Sequence, residues 1–306
     1  MMDWEESFQA GLRKILRPEQ FIFHAPMSEH TTFKIGGAAD VLIFPSTPGE
    51  VADVFKLIDE FKIPLTILGN GSNVLVLDKG IRGAVMKFSD RFFGNIQVAG
   101  KKIIAGAGAK LADVSKFAAK NYLSGTEFAV GIPGSIGGAV FMNAGAYDGE
   151  MKNIVANVKA VSKSGELLNF GRDVLDFGYR QSVFQRNDCA ICEVELELTS
   201  GDYYEIKNKM DDFTARRESK QPLELPSAGS TFKRPRGYFA GTLIDKTGLK
   251  GLRVGGAMIS EKHAGFVVNA GGATADDVLQ LIDEVKKRVY EAHGVTLNPE
   301  VRIIGE

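Results

Sequence analysis

The sequence predicts an α+β protein in which two α/β subdomains precede a smaller α+β domain. The chain of 306 residues is long enough for more than one hydrophobic core. Strand-like and helix-like runs alternate as far as residue 200, which is typical of α/β subdomains. A charged helix and a proline-containing loop follow, and they predict a boundary near residue 201. We therefore expect subdomains at about 1–86 and 87–201 and a separate domain at 202–306.

The first predicted subdomain opens with an amphipathic segment and continues as a β-α-β unit. A helix is predicted in GEVADVFKLIDEFKIP, because Val51, Val54, Ile58 and Phe61 fall on one stripe. A strand is predicted before it in ADVLIFPST. After it, two strands flank a tight turn in PLTILGNGSNVLVLDKG, and a short strand follows in GAVMKF.

The second predicted subdomain contains two hairpins and a helix. One hairpin is predicted in NIQVAGKKIIAGAG, and the helix follows in KLADVSKFAAKNYLSG. The other hairpin lies in VANVKAVSKSGELLNF, where Ser164-Gly165 gives the turn signal. The run DCAICEVELEL predicts a last strand.

The final hundred residues predict a small domain of their own. The charged helix YYEIKNKMDDFTARRESKQ and the loop PLELPSAGSTFKRP lead into a strand in GFVVNA. A helix then begins after Thr274, the candidate N-cap, and Gly294 ends it before a strand in VRIIGE. Its inward positions are predicted to be Val278, Leu281, Ile282, Val285 and Val289.

The charge balance and the apolar runs exclude several classes of protein. There are 37 basic and 38 acidic residues, so nothing in the net charge favours nucleic acid or an anionic membrane. No signal peptide is evident at the N-terminus, and no apolar run reaches the length of a membrane span. We expect a cytoplasmic protein without membrane insertion and see no sign of an obligatory protein partner.

The cysteines and histidines do not predict a metal site. Cys189 and Cys192 have the spacing of a redox pair, but they lie in a strand-like run, where an odd separation points them to opposite faces. Core filling is therefore the favoured interpretation. The four histidines form no zinc-binding pattern.

Two glycine-rich loops are the strongest local signal for a ligand. They are GNGSN at 69–73 and GIPGSIGG at 131–138, each at a predicted strand end. Glycine lets a backbone approach a ligand closely, and consecutive N–H groups can hold an anion. Neither loop matches a dinucleotide or nucleoside triphosphate motif. Each alone could be an ordinary turn, but a diphosphate lying between them explains both.

Six motifs, in order along the chain, resemble those of the UDP-N-acetylenolpyruvoylglucosamine reductase family. They are HTTFKIGGAADV (30–41), ILGNGSNVLV (67–76), GIPGSIGGAVFMNAGAY (131–147), YRQSVF (179–184), AGSTFKRP (228–235) and NPEVRIIG (298–305). The resemblance implies a flavin-binding module of the vanillyl-alcohol-oxidase type with two subdomains, followed by a substrate-binding domain. It also implies non-covalently bound FAD and NADPH as the hydride donor.

The resemblance assigns the glycine loops and nearby polar residues to FAD. Small residues there would leave room for the pyrophosphate and the flavin. The residues implied are Leu68, Gly69, Asn70, Gly71, Ser72, Asn73, Pro133, Gly134, Ser135, Gly137, Gly138, Asn143, Gly145 and Arg302.

The resemblance also implies the reaction and its catalytic residues. The family reduces UDP-N-acetylglucosamine enolpyruvate to UDP-N-acetylmuramate for peptidoglycan synthesis, and hydride addition leaves negative charge beside the substrate carboxylate. Arg180 matches the position that stabilises this charge, and Ser230 matches the proton donor. Glu300 matches a third catalytic position, where it could polarise the carboxylate if protonated or orient the site if ionised.

Substrate contacts are implied for four further side chains. Arg216 and Lys220 would lie on one helical face, near the substrate phosphates, if the helix extends that far. His263 resembles, more weakly, a position near the substrate, and a structural histidine is an equal alternative. Tyr179 precedes the catalytic arginine.

The chain lacks a loop that some members of the family have, and this indicates its subgroup. SVFQRND passes directly into CAICEVELEL, which leaves no room for an inserted tyrosine loop and resembles the compact second type. Two other functions stay open on the residues alone. One is a flavin oxidase or dehydrogenase acting on an alcohol or hydroxy acid, and the other is a sugar-nucleotide-binding protein without redox activity.

Overall fold

The structure, a computed structural model, describes residues 5–306 and divides into two compact units. The first unit contains the described residues up to Phe23, together with Val41–Asn70 and Gly83–Arg216. The second contains His24–Asp40, Gly71–Arg82 and Arg217–Glu306. Each unit is therefore built from three separate stretches of chain. The sequence-based limits 1–201 and 202–306 describe modules along the chain and stay a prediction.

Eight α-helices occur in the described residues. They are α1 Glu5–Ile15, α2 Pro48–Phe61, α3 Asp90–Phe93, α4 Leu111–Lys120, α5 Ile136–Phe141, α6 Tyr203–Lys220, α7 Ala240–Lys246 and α8 Ala275–His293. None of these helices is long and apolar enough to cross a membrane.

The strands in the described residues are short, and half of them belong to two sheets formed before residue 200. They are β1 Phe21–Pro26, β2 Ala38–Ile43, β3 Leu65–Leu68, β4 Val74–Val76, β5 Ile81–Lys87, β6 Ile96–Ala99, β7 Lys102–Gly106, β8 Leu123–Ser124, β9 Gly145–Ala146, β10 Gly149–Glu150, β11 Val155–Val161, β12 Leu167–Gly171, β13 Ala190–Glu197, β14 Thr199–Ser200, β15 Arg253–Val254, β16 Ala257–Ile259, β17 Val267–Asn269 and β18 Arg302–Ile304.

The predicted β-α-β opening is present in the sheet ordered β1-β2-β5-β3. Helix α2 connects β2 to β3, and Thr47 caps it by accepting a hydrogen bond from Glu50 N. Its predicted stripe is buried at Val51, Val54 and Ile58, and the partly buried Phe61 meets the ring of Phe8 edge-on at 5.5 Å. This packing against α1 fixes the first part of the core.

A five-stranded antiparallel sheet, ordered β12-β11-β13-β7-β6, forms the second part of the first unit. Both predicted hairpins are confirmed as β6–β7 and β11–β12, and Gly165 has a φ of +85° at the second turn. Cys189 and Cys192 are buried in the core, as the core-filling interpretation expected. Burial raises the pKa of the Cys192 thiol to about 12.

The loop 69–73 separates two strands that do not pair with each other. Strand β3 pairs in parallel with β5, whereas β4 pairs in parallel with β18 at the end of the chain. The sequence predicted both strands but not their partners, because a tight turn between two strands normally indicates a hairpin.

The second unit contains the sheet ordered β15-β16-β17, the β4–β18 pair and helices α7 and α8. The inward positions predicted for α8 are all buried. Thr274 is its N-cap, in a capping box with Asp277, and Gly294 ends it with a φ of +66°. Asp78, from a distant stretch of the same unit, accepts hydrogen bonds from Ala275 N at 2.8 Å and Asp276 N at 3.0 Å.

Replacing Asp78 with alanine should lower the free energy of unfolding by about 1 kcal/mol, because two N-terminal amides of α8 lose a charged acceptor. Urea denaturation with FAD held at constant concentration measures the change. The matched control is Asp283→Ala on the same helix, which removes only an exposed pair with Lys286 and should change stability by less than about 0.5 kcal/mol. Equal effects of the two substitutions would show that Asp78 does not act as a cap.

Candidate active site

The two glycine-rich loops touch each other within the first unit. A Cβ built on Gly69 would lie 2.6 Å from Ser135 Oγ, so a side chain there would force that hydroxyl to move. Asn70 Nδ2 donates a hydrogen bond to Pro133 O at 2.6 Å. Leu68, the buried last residue of β3, leads directly into this contact. The close approach of the two loops therefore favours glycine at position 69.

The second glycine-rich loop also packs closely on the segment between β7 and α4. A Cβ on Gly137 would lie 2.8 Å from Ala107 Cβ, and Ser135 forms an antiparallel bridge with Lys110. Ser135 Oγ caps α5 by accepting a hydrogen bond from Gly138 N at 3.4 Å. Small residues are therefore needed here for protein packing itself, a reason that the sequence argument about cofactor access did not include.

Several backbone amides of these loops remain available to a ligand. Among residues 5–306, the N–H groups of Asn70, Gly134 and Ser135 have no protein acceptor. Unpaired backbone N–H groups on touching loops suit an anionic group such as a diphosphate. The residues present thus fit the FAD pyrophosphate implied by the sequence.

The remainder of the first loop belongs to the second unit. Gly71 has a φ of +68°, and its O accepts a hydrogen bond from Thr32 N at 3.2 Å. Asn73 Nδ2 donates to Glu300 O at 3.3 Å, and Arg302 N donates to Asn73 O at 3.0 Å. Half-buried Ser72 lies between these anchored positions. The HTTF motif and the C-terminal motif therefore hold this part of the loop.

Asn143 uses its whole side-chain amide within the protein. It is buried, has a φ of +40°, and donates from Nδ2 to Glu150 Oε2 at 2.8 Å and to Gly178 O at 2.9 Å. Its Oδ1 accepts a hydrogen bond from Lys152 N at 2.9 Å. The nearby Gly145 approaches Gly149 O, which a Cβ would meet at 2.6 Å.

Arg180 occupies a strained turn beside these residues. The backbones of Gly178 and Gln181 exchange hydrogen bonds of 3.0 and 3.2 Å, which close a four-residue turn with Arg180 third. Arg180 has a φ of +55°, in the left-handed region that disfavours non-glycine residues. Its Nη2 donates to Gly145 O at 3.3 Å, and its guanidinium lies 5.3 Å from the exposed ring of Tyr179. Such strain is characteristic of functional sites.

In the second unit, Thr231 joins the segments that carry Ser230 and Glu300. Thr231 N donates to Gly265 O at 2.9 Å, and Glu300 N donates to Thr231 O at 2.8 Å. Thr231 Oγ1 also accepts from Val267 N at 2.9 Å. Ser230 itself is exposed, whereas Thr231 is buried. The serine hydroxyl is thus presented at the surface from a rigid backbone.

His263 lies next to the same segment. Its Nδ1 accepts a hydrogen bond from Gly265 N at 3.0 Å, so Nε2 carries the proton in the neutral ring. Burial is the main cause that lowers the pKa of His263. The ring also meets Phe266 edge-on at 5.0 Å. A neutral imidazole with a defined Nε2–H donor is the form this environment favours.

Helix α6 extends far enough to place Arg216 and Lys220 one turn apart, as the sequence required. Both side chains are exposed, and Arg216 forms an ion pair with Asp212 at 2.8 Å. In the first unit, Tyr147 stacks on Phe213 of α6 at 4.3 Å and donates from its hydroxyl to Phe213 O at 3.1 Å. This stack holds the NAGAY segment on the helix that carries Arg216.

The predicted residues thus fall into groups within each unit. The first unit brings Leu68, Gly69 and Asn70 to the 133–138 loop, and a second group collects Asn143, Gly145, Tyr179 and Arg180. The second unit links Asn73, Arg302 and Glu300 and connects Glu300, Ser230 and His263 through the bonds around Thr231. No group of three or more metal-binding side chains occurs in residues 5–306.

Sequence reasoning missed Lys87, a half-buried cation at the end of β5. It pairs in register with Leu68, the residue before the first glycine loop. Burial lowers the pKa of Lys87 to about 8. The available signal was a lysine directly after the apolar run AVM of a predicted strand, where a charged side chain is costly.

Two family models match the chain. The model described as the C-terminal domain of UDP-N-acetylenolpyruvoylglucosamine reductase matches residues 221–304, and an FAD binding domain model matches residues 38–171. A likeness to 4-ethylphenol oxidase of Gulosibacter chungangensis has a TM-score of 0.52 at 14% identity, covering 65% of this chain and 43% of that one. It shows the shared fold alone.

Relatives match over nearly the full length. The chain is 52% identical over 298 residues to UDP-N-acetylenolpyruvoylglucosamine reductase of Clostridium perfringens, covering 97% of each chain. It is 48% identical over 305 residues to that of Clostridium botulinum, covering 100% of this chain and 99% of the relative. The solved Thermus caldophilus reductase is 36% identical with a TM-score of 0.78, covering 93% of this chain and 98% of that chain.

The fold and the family models define an FAD-dependent oxidoreductase with a flavin-binding module of the vanillyl-alcohol-oxidase type. Within that class, the chain belongs to the family of UDP-N-acetylenolpyruvoylglucosamine reductases. The fold class and the family resemblance inferred from the sequence are both confirmed.

Replacing Lys87 with methionine should raise the free energy of unfolding by about 2 to 3 kcal/mol at pH 7, because the buried ammonium is lost. The lysine penalty is fully present below pH 8 and disappears as the pH rises toward the unfolded pKa of 10.5. The gain should therefore shrink between these pH values. Denaturant midpoints across this pH range, with FAD constant, measure it.

The matched control is Lys62→Met, since Lys62 is exposed at the end of α2. It should have little effect at any pH. A gain from Lys87→Met that stayed constant from pH 7 to pH 10.5 would contradict the burial of a charged amine.

Proposed function

We infer that this chain reduces UDP-N-acetylglucosamine enolpyruvate to UDP-N-acetylmuramate, with bound FAD and with NADPH as the hydride donor. The reaction belongs to peptidoglycan precursor synthesis. The observation that carries this conclusion is the match to reductases of that name at about half identity over nearly the full length of both chains. The site contributes residues of the chemical types that the reaction needs.

FAD supplies the hydride-carrying isoalloxazine ring when it is bound. The backbone amides of Asn70, Gly134 and Ser135 are suited to the pyrophosphate, since they lie on touching loops and have no protein acceptor among the described residues. Gly71, Ser72, Asn73 and Arg302 are proposed for contacts nearer the flavin. The backbone contacts that hold Gly71 and Asn73 keep that segment in place.

Arg180 is proposed to hold the substrate carboxylate and the negative charge that develops beside it. A guanidinium stays charged at every relevant pH and can donate two parallel hydrogen bonds to a carboxylate or an enolate. Its position on a strained, tightly closed turn limits its freedom before substrate arrives. Such preorganisation makes electrostatic stabilisation effective in the transition state.

Ser230 is proposed to donate the proton to the carbon next to the carboxylate. The hydroxyl is exposed, while the next residue is held by three hydrogen bonds. A proton donor needs this combination of access and fixed position. Glu300 is proposed to act on the substrate carboxylate or to orient the serine, and its backbone is tied to Thr231 beside Ser230.

The sugar nucleotide is proposed to bind through Arg216, Lys220, Tyr179 and His263. Arg216 and Lys220 are exposed cations one turn apart on α6, which suits a diphosphate. The Nε2–H of His263 offers a neutral donor for a substrate carbonyl or hydroxyl. The short connection from the Arg180 turn to β13 supports the compact second type of the family. We propose a cytoplasmic location, in keeping with a soluble nucleotide substrate.

The deciding experiment is anaerobic and proceeds in two steps. NADPH is added to the purified flavoprotein while the absorption band near 450 nm is followed, and UDP-N-acetylglucosamine enolpyruvate is then added. We expect bleaching by NADPH and rapid return of the band with the substrate. Bleaching without return would discard this substrate and favour another oxidoreductase of the same fold, and a protein unable to take up FAD would overturn the proposal.

Ser230→Ala should slow reoxidation by the enolpyruvyl substrate by about 10²-fold or more, because the proton donor is lost. Reduction of FAD by NADPH needs no such proton and should stay within about twofold of the native rate. Stopped-flow measurement of the two half-reactions separates these effects. Ser164→Ala, at the exposed turn of the β11–β12 hairpin, is the control. Equal slowing of both half-reactions would argue against Ser230 as the donor.

A further inference from the structure

Three polar side chains surround the turn that carries Arg180 and tie it to helix α5. They are Asn143, Ser182 and Gln185, here called the polar clamp. The sequence alone did not predict that any of the three contacts or positions Arg180. The contacts they make all lie within the first unit.

Asn143 holds the start of the turn. Its Nδ2 donates to Gly178 O at 2.9 Å, and the same nitrogen donates to Glu150 Oε2 at 2.8 Å. Asn143 follows α5 closely, and its backbone N donates to Val140 O at 3.1 Å. The beginning of the Arg180 turn is therefore anchored to the end of this helix.

Ser182 and Gln185 hold the other side of the turn at the same helix end. Ser182 is fully buried and donates from Oγ to Phe141 O at 2.8 Å. Gln185 Nε2 donates to Phe141 O at 2.9 Å and to Arg180 O at 3.0 Å. One carbonyl at the end of α5 thus accepts from two clamp residues, and Gln185 reaches the arginine backbone directly.

Helix α5 connects the polar clamp to the glycine-rich loop. The helix is six residues long, and Ser135 of that loop caps its first turn. The opposite end, at Phe141, receives the clamp. A helix this short bends little. Helix α5 therefore fixes the position of the Arg180 turn relative to the glycine-rich loop 131–138, which is suited to FAD.

The strained backbone makes the clamp necessary. Arg180 sits at a φ of +55°, and an unclamped turn would relax toward conformations that arginine prefers. Strained residues persist only where surrounding contacts over-determine them. Tyr147 and Asp148, which follow Asn143 closely in the sequence, also have left-handed φ values, of +49° and +63°.

We propose that the polar clamp is a positioning device that holds the Arg180 guanidinium at a fixed place relative to the FAD loop. The proposal rests on the function proposed above for Arg180. Asn143, inferred from the sequence as an FAD contact, acts in this proposal through the Arg180 turn. Removing the clamp moves the guanidinium without removing its charge, and it therefore reduces stabilisation of the developing negative charge.

The main test uses Gln185→Met in the holoenzyme, a change that keeps side-chain length and removes the donors. The limiting rate of reoxidation by the enolpyruvyl substrate should fall about 10- to 100-fold, since small displacements of a catalytic group have effects of this size. Reduction by NADPH should stay within about twofold. The control is Gln97→Met, on the exposed edge strand β6 of the five-stranded sheet, which should leave both rates unchanged.

A double-mutant cycle distinguishes positioning from a general structural effect. If the clamp acts through Arg180, adding Gln185→Met to Arg180→Ala should slow reoxidation no further than about twofold. A loss as large in the Arg180→Ala background as in the native one would overturn the proposal. Should Gln185→Met fold poorly, Ser182→Ala removes one clamp bond and is put through the same cycle.

A measurement that does not use the substrate separates failure of the clamp from failure of the proposed function. Hydrogen exchange of the Gly178 and Gln181 amides, which close the turn, should accelerate at least tenfold in Gln185→Met or Ser182→Ala, whereas exchange within β13 stays unchanged. Unchanged exchange in the turn would overturn the clamp. If exchange accelerates in the variants but the substrate fails to reoxidise the reduced flavin of the unsubstituted protein, the clamp is retained and the proposed substrate is rejected.

Discussion

The second unit depends on three hydrogen bonds by which a single buried residue, Thr231, ties its own segment to two others. Its N–H reaches Gly265, its hydroxyl accepts from Val267, and its carbonyl accepts from Glu300. Because two bonds lead to the segment 265–267 and one leads to Glu300, none of the three joined segments can shift without breaking a bond to Thr231. The exposed Ser230, the proposed proton donor, is the neighbour of this junction, so its hydroxyl is accessible while the adjacent backbone is held. The arrangement separates the residue proposed for the chemistry from the residue that bears the structural constraint.

The first unit achieves the same separation around Arg180. The arginine carries the charge, whereas uncharged amides and a hydroxyl from Asn143, Gln185 and Ser182 determine its backbone. Neutral donors are suited to this task because they hold carbonyl oxygens without adding charge beside the guanidinium. In both units the positioning groups are buried or half-buried, and their partners are mostly backbone atoms. Backbone partners vary little with sequence, so such a site can keep its geometry while surface residues change.

Much of the fold was predictable because its signals are local. The Thr274 cap, the inward face of α8 and the Gly165 hairpin each follow from residues within a few positions of one another. The partner of β4 was not predictable, since the chain returns to it only at the C-terminal strand, and the Asn73–Glu300 contact beside it joins residues 227 positions apart. The motifs identified the candidate residues through family resemblance. Contacts alone revealed what Thr231, Asn143 and Gln185 do, because an amide or hydroxyl has no pattern that specifies its partner. The same limit applies to Gly69, whose lack of a side chain reflects the nearby Ser135.

The discontinuous make-up of the second unit has a consequence for how the chain is synthesised. Strand β4 emerges from the ribosome long before its partner β18, because most of the described chain lies between them. Asp78 likewise waits for the start of α8, which it caps. While the intervening residues are being synthesised, these earlier segments have a strand edge and a capping carboxylate without their native partners. Pairing over such sequence separations is slow and exposes apolar strands to wrong contacts. This unit can therefore complete its assembly only after β18 has been synthesised, and a chain without β18 would leave β4 without its native partner.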